Sequence, residues 1–176
     1  VTARRGALRL VADVGGTNAR FALAGPNGRW TGAANLRVSD FLTFDDALAA
    51  YLGGLEATTR GRIASAAFAA AGPVEHDAIK LTNAPWRIAA PHVSDQLGGV
   101  PTAIFNDLQA VALALPFLGG QDVTRIGAVP RPEAAPPQRM LAVNVGTGFG
   151  AATAIPLGGV WTVCPSEAGH MSLTAA

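Results

Sequence analysis

A single cysteine, Cys164, rules out an intrachain disulfide and a cysteine-only metal centre, and suits a reducing compartment such as the cytoplasm. Charge is scarce as well. Only 14% of residues are Asp, Glu, Lys or Arg, and 13 basic against 12 acidic side chains leave a formal net charge of +1. That balance provides no broad basic face and argues against nucleic acid as a partner. No apolar run reaches the ~18 residues of a membrane span, so no membrane partner is expected. Residues 8–14 are too short for a signal-peptide core and read better as a strand. The phosphate-loop pattern GxxxxGK[ST] is absent, which excludes that architecture. What is abundant is apolar surface. At 49% hydrophobic, 176 residues can bury one good core, or one domain and part of another.

Hydrophobic periodicity predicts an α/β layer pattern. Residues 8–14 and 19–24 read as a hairpin around Gly15-Gly16-Thr17-Asn18, where adjacent glycines permit positive φ and close backbone approach. Gly25-Pro26-Asn27-Gly28 is strong turn chemistry and leads to a third strand over 29–38. Residues 43–56 carry an amphipathic helical stripe (Phe44, Ala47/Leu48, Tyr51/Leu52, Leu55), with Thr43 and Asp46 as a capping box. Residues 62–71, apolar on both faces and ended by Gly72-Pro73, predict a buried parallel strand. Shorter elements follow: a strand over 78–81, a helix over 91–97 and a buried strand over 103–105. Trp86 reads as packing rather than as a ligand platform. Residues 116–137, rich in proline, read as a loop. Residues 140–145 and 151–155 read as two strands around Gly146-Thr147-Gly148-Phe149-Gly150, a loose copy of the first hairpin.

Four polar islands interrupt this apolar framework. Asp13 lies inside an apolar strand ending, so it either is capped within an ordinary hairpin or faces solvent or a bound cation. Backbone N–H groups beside a carboxylate are what a magnesium–phosphate group needs. Asn106-Asp107 sits where a buried strand opens a helix, the place where open α/β sheets bind ligands, although helix capping is the other use of such residues. The second glycine turn could hold a polyphosphate from the side opposite the first. Glu167 and His170, three apart, converge if the backbone turns there. With His76 and His92 in unrelated segments they make a poor zinc site, and their chemistry suits sugar hydroxyls better than a metal. A plain surface turn is the other reading of that pair.

Together these islands resemble the bacterial glucokinases of the actin-like sugar-kinase superfamily. The resemblance rests on Asp13-Val-Gly-Gly-Thr-Asn-Ala-Arg20, Thr82-Asn-Ala-Pro-Trp86, Phe105-Asn-Asp-Leu-Gln-Ala110, Gly146-Thr-Gly-Phe-Gly150 and Glu167-Ala-Gly-His170, in that order along nearly the whole chain. The related repressor-type sugar kinases carry a cysteine-rich zinc motif after Glu-x-Gly-His. Cys164 lies before that point, which favours the glucokinase branch.

The resemblance implies an α/β, ribonuclease H-like fold and ATP-dependent phosphorylation of glucose to glucose 6-phosphate. Asp107 then corresponds to the general base, and Asn106, Asp107, Glu167 and His170 to the sugar-binding residues. Gly15, Gly16, Thr17 and Asn18 correspond to a first phosphate loop, and Gly146, Thr147 and Gly148 to a second. Asp13 corresponds to a ligand of Mg2+ through water. Glucose and ATP are the expected small-molecule partners, and a cytoplasmic homodimer the expected state of the full-length enzyme. Another hexose or amino sugar as substrate, or a non-catalytic sugar-binding regulator, are the alternatives. Family members are about twice as long as this chain, and the part without a counterpart includes the adenosine segment. A small domain over 1–108 and the beginning of a large domain over 109–176 are therefore expected. So are little kinase activity from these residues alone and a strand 140–145 that lacks sheet neighbours.

Overall fold

A computed structural model describes residues 6–127, 139–145 and 149–166. The described residues form two compact units, one up to Asp107 and one from Leu108 onward. In the first, β1 (Leu8–Val14), β2 (Asn18–Ala24) and β3 (Trp30–Arg37) make an antiparallel meander. Helix α1 (Phe44–Gly53) and the single turn α2 (Ala57–Arg60) precede β4 (Ile63–Ala70), and β5 (Val74–Glu75), β6 (Ala78–Lys80) and β7 (Arg87–Ala89) form a small antiparallel sheet. Helix α3 (Ala90–Gln96) then leads into β8 (Thr102–Asn106). The main sheet has the order β3-β2-β1-β4-β8, with β4 parallel to both β1 and β8.

Local rules account for much of this. The Thr43 hydroxyl accepts from the Asp46 N–H and the Asp46 carboxylate accepts from the Thr43 N–H, the reciprocal box expected from the sequence. Gly54 caps the other end of α1, so the helix stops short of residue 56. In the turn 25–28, Gly28 adopts a φ of 75° and donates to the Gly25 carbonyl, which closes the β2–β3 hairpin. Gly32, with a φ of 61°, sits where the β2–β3 register slips, a bulge that glycine tolerates.

The core lies on one face of the main sheet. Leu10, Val14, Phe21, Leu23, Phe68 and Ala70 are buried there beneath Phe44, Leu48 and Tyr51 of α1. Aromatics are few, yet the chain's one tyrosine, one of its tryptophans and three phenylalanines gather at this point. Phe21 stacks on Tyr51 with centroids 5.0 Å apart, while Phe68 and Trp86 meet Phe44 edge-on at 5.5 and 6.0 Å. Trp86 is buried and its indole N–H donates to the Phe41 carbonyl, so it packs as expected. The expectation that β4 is buried on both faces needs correction. Ile63, Ala66, Phe68 and Ala70 face the core, whereas Ser65, Ala67 and Ala69 on the reverse face are only half-buried and Ala64 is exposed.

In the second unit α4 (Asp107–Ala114) runs on directly from β8 into a 3-10 turn over Leu115–Phe117. A three-stranded antiparallel sheet follows, with β9 (Met140–Val145), β10 (Phe149–Leu157) and β11 (Val160–Ser166) in the order β11-β10-β9. Ala112 of α4 packs with Ala142, Ala152 and Ala154 as a second, small core. The expectation that residues 140–145 lack a sheet neighbour is overturned, because β9 pairs with β10 from Met140↔Ala154 to Val145↔Phe149. The exposed apolar surface is a face rather than an edge: Leu141, Val143, Val145 and Phe149 share the side turned away from Ala142 and Ala152, and all four are exposed.

Two predictions follow from this packing. Burial pushes the Tyr51 phenol pKa up from its ordinary value, and its hydroxyl donates to the Gly32 carbonyl at 2.9 Å. A raised pKa in the folded state means a contribution present below the unfolded value of about 10 and lost as pH rises through the folded value. Denaturant titrations should therefore show an alkaline loss of stability that Tyr51→Phe flattens; an unchanged alkaline limb in that variant contradicts the assignment. Replacing Val143 and Val145 by lysine should raise the concentration at which light scattering still finds a single species, with the far-UV spectrum unaltered.

Candidate functional site

Three parallel strands end level with one another. Val14 of β1 is opposite Ala70 of β4, which is opposite Asn106 of β8. Adjacent strands lie about 4.8 Å apart, so the β1 and β8 ends are separated by about 10 Å. Beyond Val14 comes the Gly15–Asn18 turn, beyond Ala70 the bend through Gly72, and at Asn106 the step into α4 at Asp107. Chain topology alone thus brings the first glycine turn and the Asn106-Asp107 pair to one sheet edge, the carboxyl end, where open α/β sheets take their ligands.

Each piece is held by identifiable contacts. The Asn106 side-chain amide donates to the Gly72 carbonyl at 3.0 Å, fixing which way that side chain turns. Gly72 itself has a φ of 148°, and a Cβ there would lie 2.8 Å from the Lys80 carbonyl oxygen, so only glycine fits. The first turn is closed by the Gly15 N–H donating to the Asn18 carbonyl, and Thr17 is anchored by its carbonyl accepting from the Val38 N–H. The sequence offered two uses for these glycines, positive φ and close backbone approach; neither adopts positive φ, and Gly16 serves the second. Gly16 is needed for space: a Cβ would meet the Asn83 Cβ at 2.9 Å and the Asn83 carbonyl oxygen at 3.2 Å. Gly15 meets nothing closer than 3.7 Å.

Asp13 projects on the exposed reverse face of the sheet and pairs with Arg20, its direct cross-strand neighbour, at 2.8 Å. Both side chains are more than half exposed, so the pair contributes little to stability. Among the described residues no group of three or more His, Cys, Asp or Glu side chains is placed to hold a metal ion. One exposed carboxylate still fits Mg2+, which binds through one or two carboxylates, retained waters and substrate phosphates. Gly146, Thr147, Gly148, Glu167 and His170 lie outside the described residues. Three contributors were not given roles by sequence reasoning: Gly72 as the anchor of Asn106, Asn83 as the neighbour of Gly16, and Arg20 as the partner of Asp13. Gly72-Pro73 left a strand stop as a signal, and Arg20 and Asn83 lie inside two of the motifs that carry the resemblance.

Gly16→Ala should cost about 1–3 kcal/mol in urea unfolding, the range for forcing a methyl group into occupied space. Gly15→Ala should stay within about 0.5 kcal/mol of the parent. Equal effects at the two positions would contradict the close approach of Asn83.

Comparison with known proteins gives the family. The family model described as Glucokinase matches residues 10–176. The glucokinase of Nitrobacter hamburgensis is 36% identical over 173 residues, which are 97% of this chain and 51% of that protein. The crystal structure of a glucokinase from an Antarctic psychrotroph superposes with a TM-score of 0.78 at 30% identity, covering 96% of this chain and 52% of the other. A ROK-family glucokinase from Streptomyces griseus, crystallised with glucose and AMPPNP, shares the fold at a TM-score of 0.57 and 21% identity over 88% of this chain and 46% of its own. The chain spans about half the length of the curated relatives it matches. By sequence and by its α/β, actin-like sugar-kinase fold, this chain belongs to the glucokinase family.

Proposed function

We propose that the chain carries the hexose-binding and first phosphate-binding parts of an ATP-dependent glucokinase. The observation that carries this reading is the shared sheet edge. The ends of β1 and β8 are level, so a nucleotide phosphate at the Gly15–Asn18 turn and a sugar at Asn106-Asp107 are within reach of one another. The second unit supplies the other assigned groups, with Gly146, Thr147 and Gly148 as the second phosphate loop and Glu167 and His170 on the sugar ring. On this reading residues 1–108 are the small domain and 109–176 the opening of the large one.

The chemistry follows from what these groups are. The 6-hydroxyl oxygen of glucose attacks the γ-phosphorus, the bond to the β–γ bridging oxygen breaks, and the hydroxyl proton passes to the Asp107 carboxylate. Phosphoryl transfer relies mainly on positioning and charge neutralisation, so an ordinary carboxylate suffices as acceptor. Asn106, with its orientation set by Gly72, hydrogen-bonds the sugar and holds the hydroxyl beside Asp107. Mg2+, when bound, neutralises phosphate charge, and Asp13 is the residue that would hold it through water. ATP as donor is supported by the AMPPNP in the Streptomyces griseus relative. Cytoplasmic location and a homodimer at full length complete the proposal.

Calorimetric titration of this chain with glucose tests the sugar site without the nucleotide half. Saturable binding is expected, weakened by about tenfold or more in Asn106→Ala, the loss of one or two good hydrogen bonds. Glucose binding unchanged in that variant would contradict the site. Turnover is tested by fusing this chain to the second half of the Nitrobacter hamburgensis relative. There Asp107→Ala should lower kcat/KM by roughly 10³-fold or more while glucose affinity falls far less. Turnover retained within about tenfold would remove Asp107 from the role of base.

A further inference from the structure

The small β5–β6–β7 sheet has two unlike faces. Val74, Ile79 and Ile88 share one, and Ile79 and Ile88 are fully buried in the main core. On the other face Glu75, Ala78 and Ala89 form one cross-strand row, and Lys80 and Arg87 form the next. A cavity of about 520 Å³ opens over this face, floored by Ala78, with Glu75 and His76 on its wall at one end and Lys80, Arg87 and Thr82 at the other.

One feature here is unfavourable for a sheet with only a structural role. Lys80 and Arg87 are direct cross-strand neighbours, an arrangement in which like charges repel, and among the described residues neither belongs to an ion pair. The two-residue β5–β6 turn is His76-Asp77, with φ values of 49° and 57°, the left-handed conformation that a tight hairpin turn requires at both positions and that His and Asp adopt more readily than most residues. It places His76 in the cavity lining. The Lys80 carbonyl packs against Gly72 with no room for a Cβ between them.

We propose that this cavity is a binding site for a phosphate monoester of a small polyhydroxylated molecule. An ammonium and a guanidinium converging from neighbouring strands suit a phosphate group, and the Thr82 hydroxyl is a further donor. At the opposite end a carboxylate and an imidazole suit hydroxyl groups. The carboxylate also disfavours a polyanion such as a nucleoside triphosphate, since the lining carries one acid against two bases. The volume matches that of small-molecule pockets. None of these residues belongs to the hexose site or the phosphate loops assigned above, so the site goes beyond the kinase reading and does not depend on it.

Calorimetric titration of the chain with glucose 6-phosphate and with inorganic phosphate tests this. Glucose 6-phosphate should bind saturably, and the double variant Lys80→Ala/Arg87→Ala should weaken it by about tenfold or more, as expected for lost charge-assisted hydrogen bonds, with an unchanged thermal midpoint. Glu75→Gln should reduce the preference for the sugar phosphate over inorganic phosphate. Because glucose 6-phosphate is also the product of the proposed reaction, the titration is repeated with Asn106→Ala. Binding that survives there and disappears in Lys80→Ala/Arg87→Ala supports the site. Binding that is lost in Asn106→Ala and kept in the double variant overturns it while upholding the hexose site. Absence of binding, or equal affinity for the two anions, overturns it as well.

Discussion

The parallel register of β1, β4 and β8 is the constraint from which the candidate site follows. Once Val14, Ala70 and Asn106 are level, the three segments that leave the sheet must emerge side by side. Their backbone polar groups no longer have ladder partners and must be satisfied by turns, side chains or ligands. Two local devices keep that edge open and ordered. The Asn106 amide takes up the Gly72 carbonyl, and the absence of a side chain at Gly16 lets the main chain at Asn83 close over the first turn.

The rest of the first unit holds this edge in place. Only one face of the main sheet carries a deep core, and the aromatic cluster of Phe21, Phe44, Tyr51, Phe68 and Trp86 concentrates much of its buried area against α1. The reverse face, by contrast, is surfaced with alanine and the Asp13–Arg20 pair. Small side chains there bury little apolar area, so hydrophobic stabilisation on that side is small. Among the described residues the second unit is poorer still in core, with four alanines at its centre and valine, leucine and phenylalanine on an exposed sheet face.

How much of this was readable in advance depended on whether the deciding interaction is local. The α1 capping box, the Gly25–Gly28 turn and the β1–β2 hairpin are set by neighbours in the chain and were recognised within a residue or two. Strands β5, β7 and β11 were not. The first two have only two or three residues, too few for a period-2 pattern to register, and depend on pairing with β6. β11 does have a local signal, since Gly158-Gly159, with φ values of 58° and 81°, is a hairpin turn between apolar runs. At the site, the Asn106-Asp107 position was legible from a polar pair closing an apolar strand. A close approach at Gly16 was legible too, but not that Asn83 makes it, because Asn83 comes from a distant part of the sequence and no local rule encodes that contact.

The central claim is that the level ends of β1, β4 and β8 form one ligand-binding edge, with the hexose at the β4 and β8 ends. Backbone amide resonances of the isotope-labelled chain, followed as glucose is added, test it most directly. The account predicts concentration-dependent shifts at Ala71, Gly72, Asn106 and Asp107, with α1 and the β2–β3 hairpin unmoved. Shifts confined to other parts of the chain, or none at saturating sugar, would contradict it.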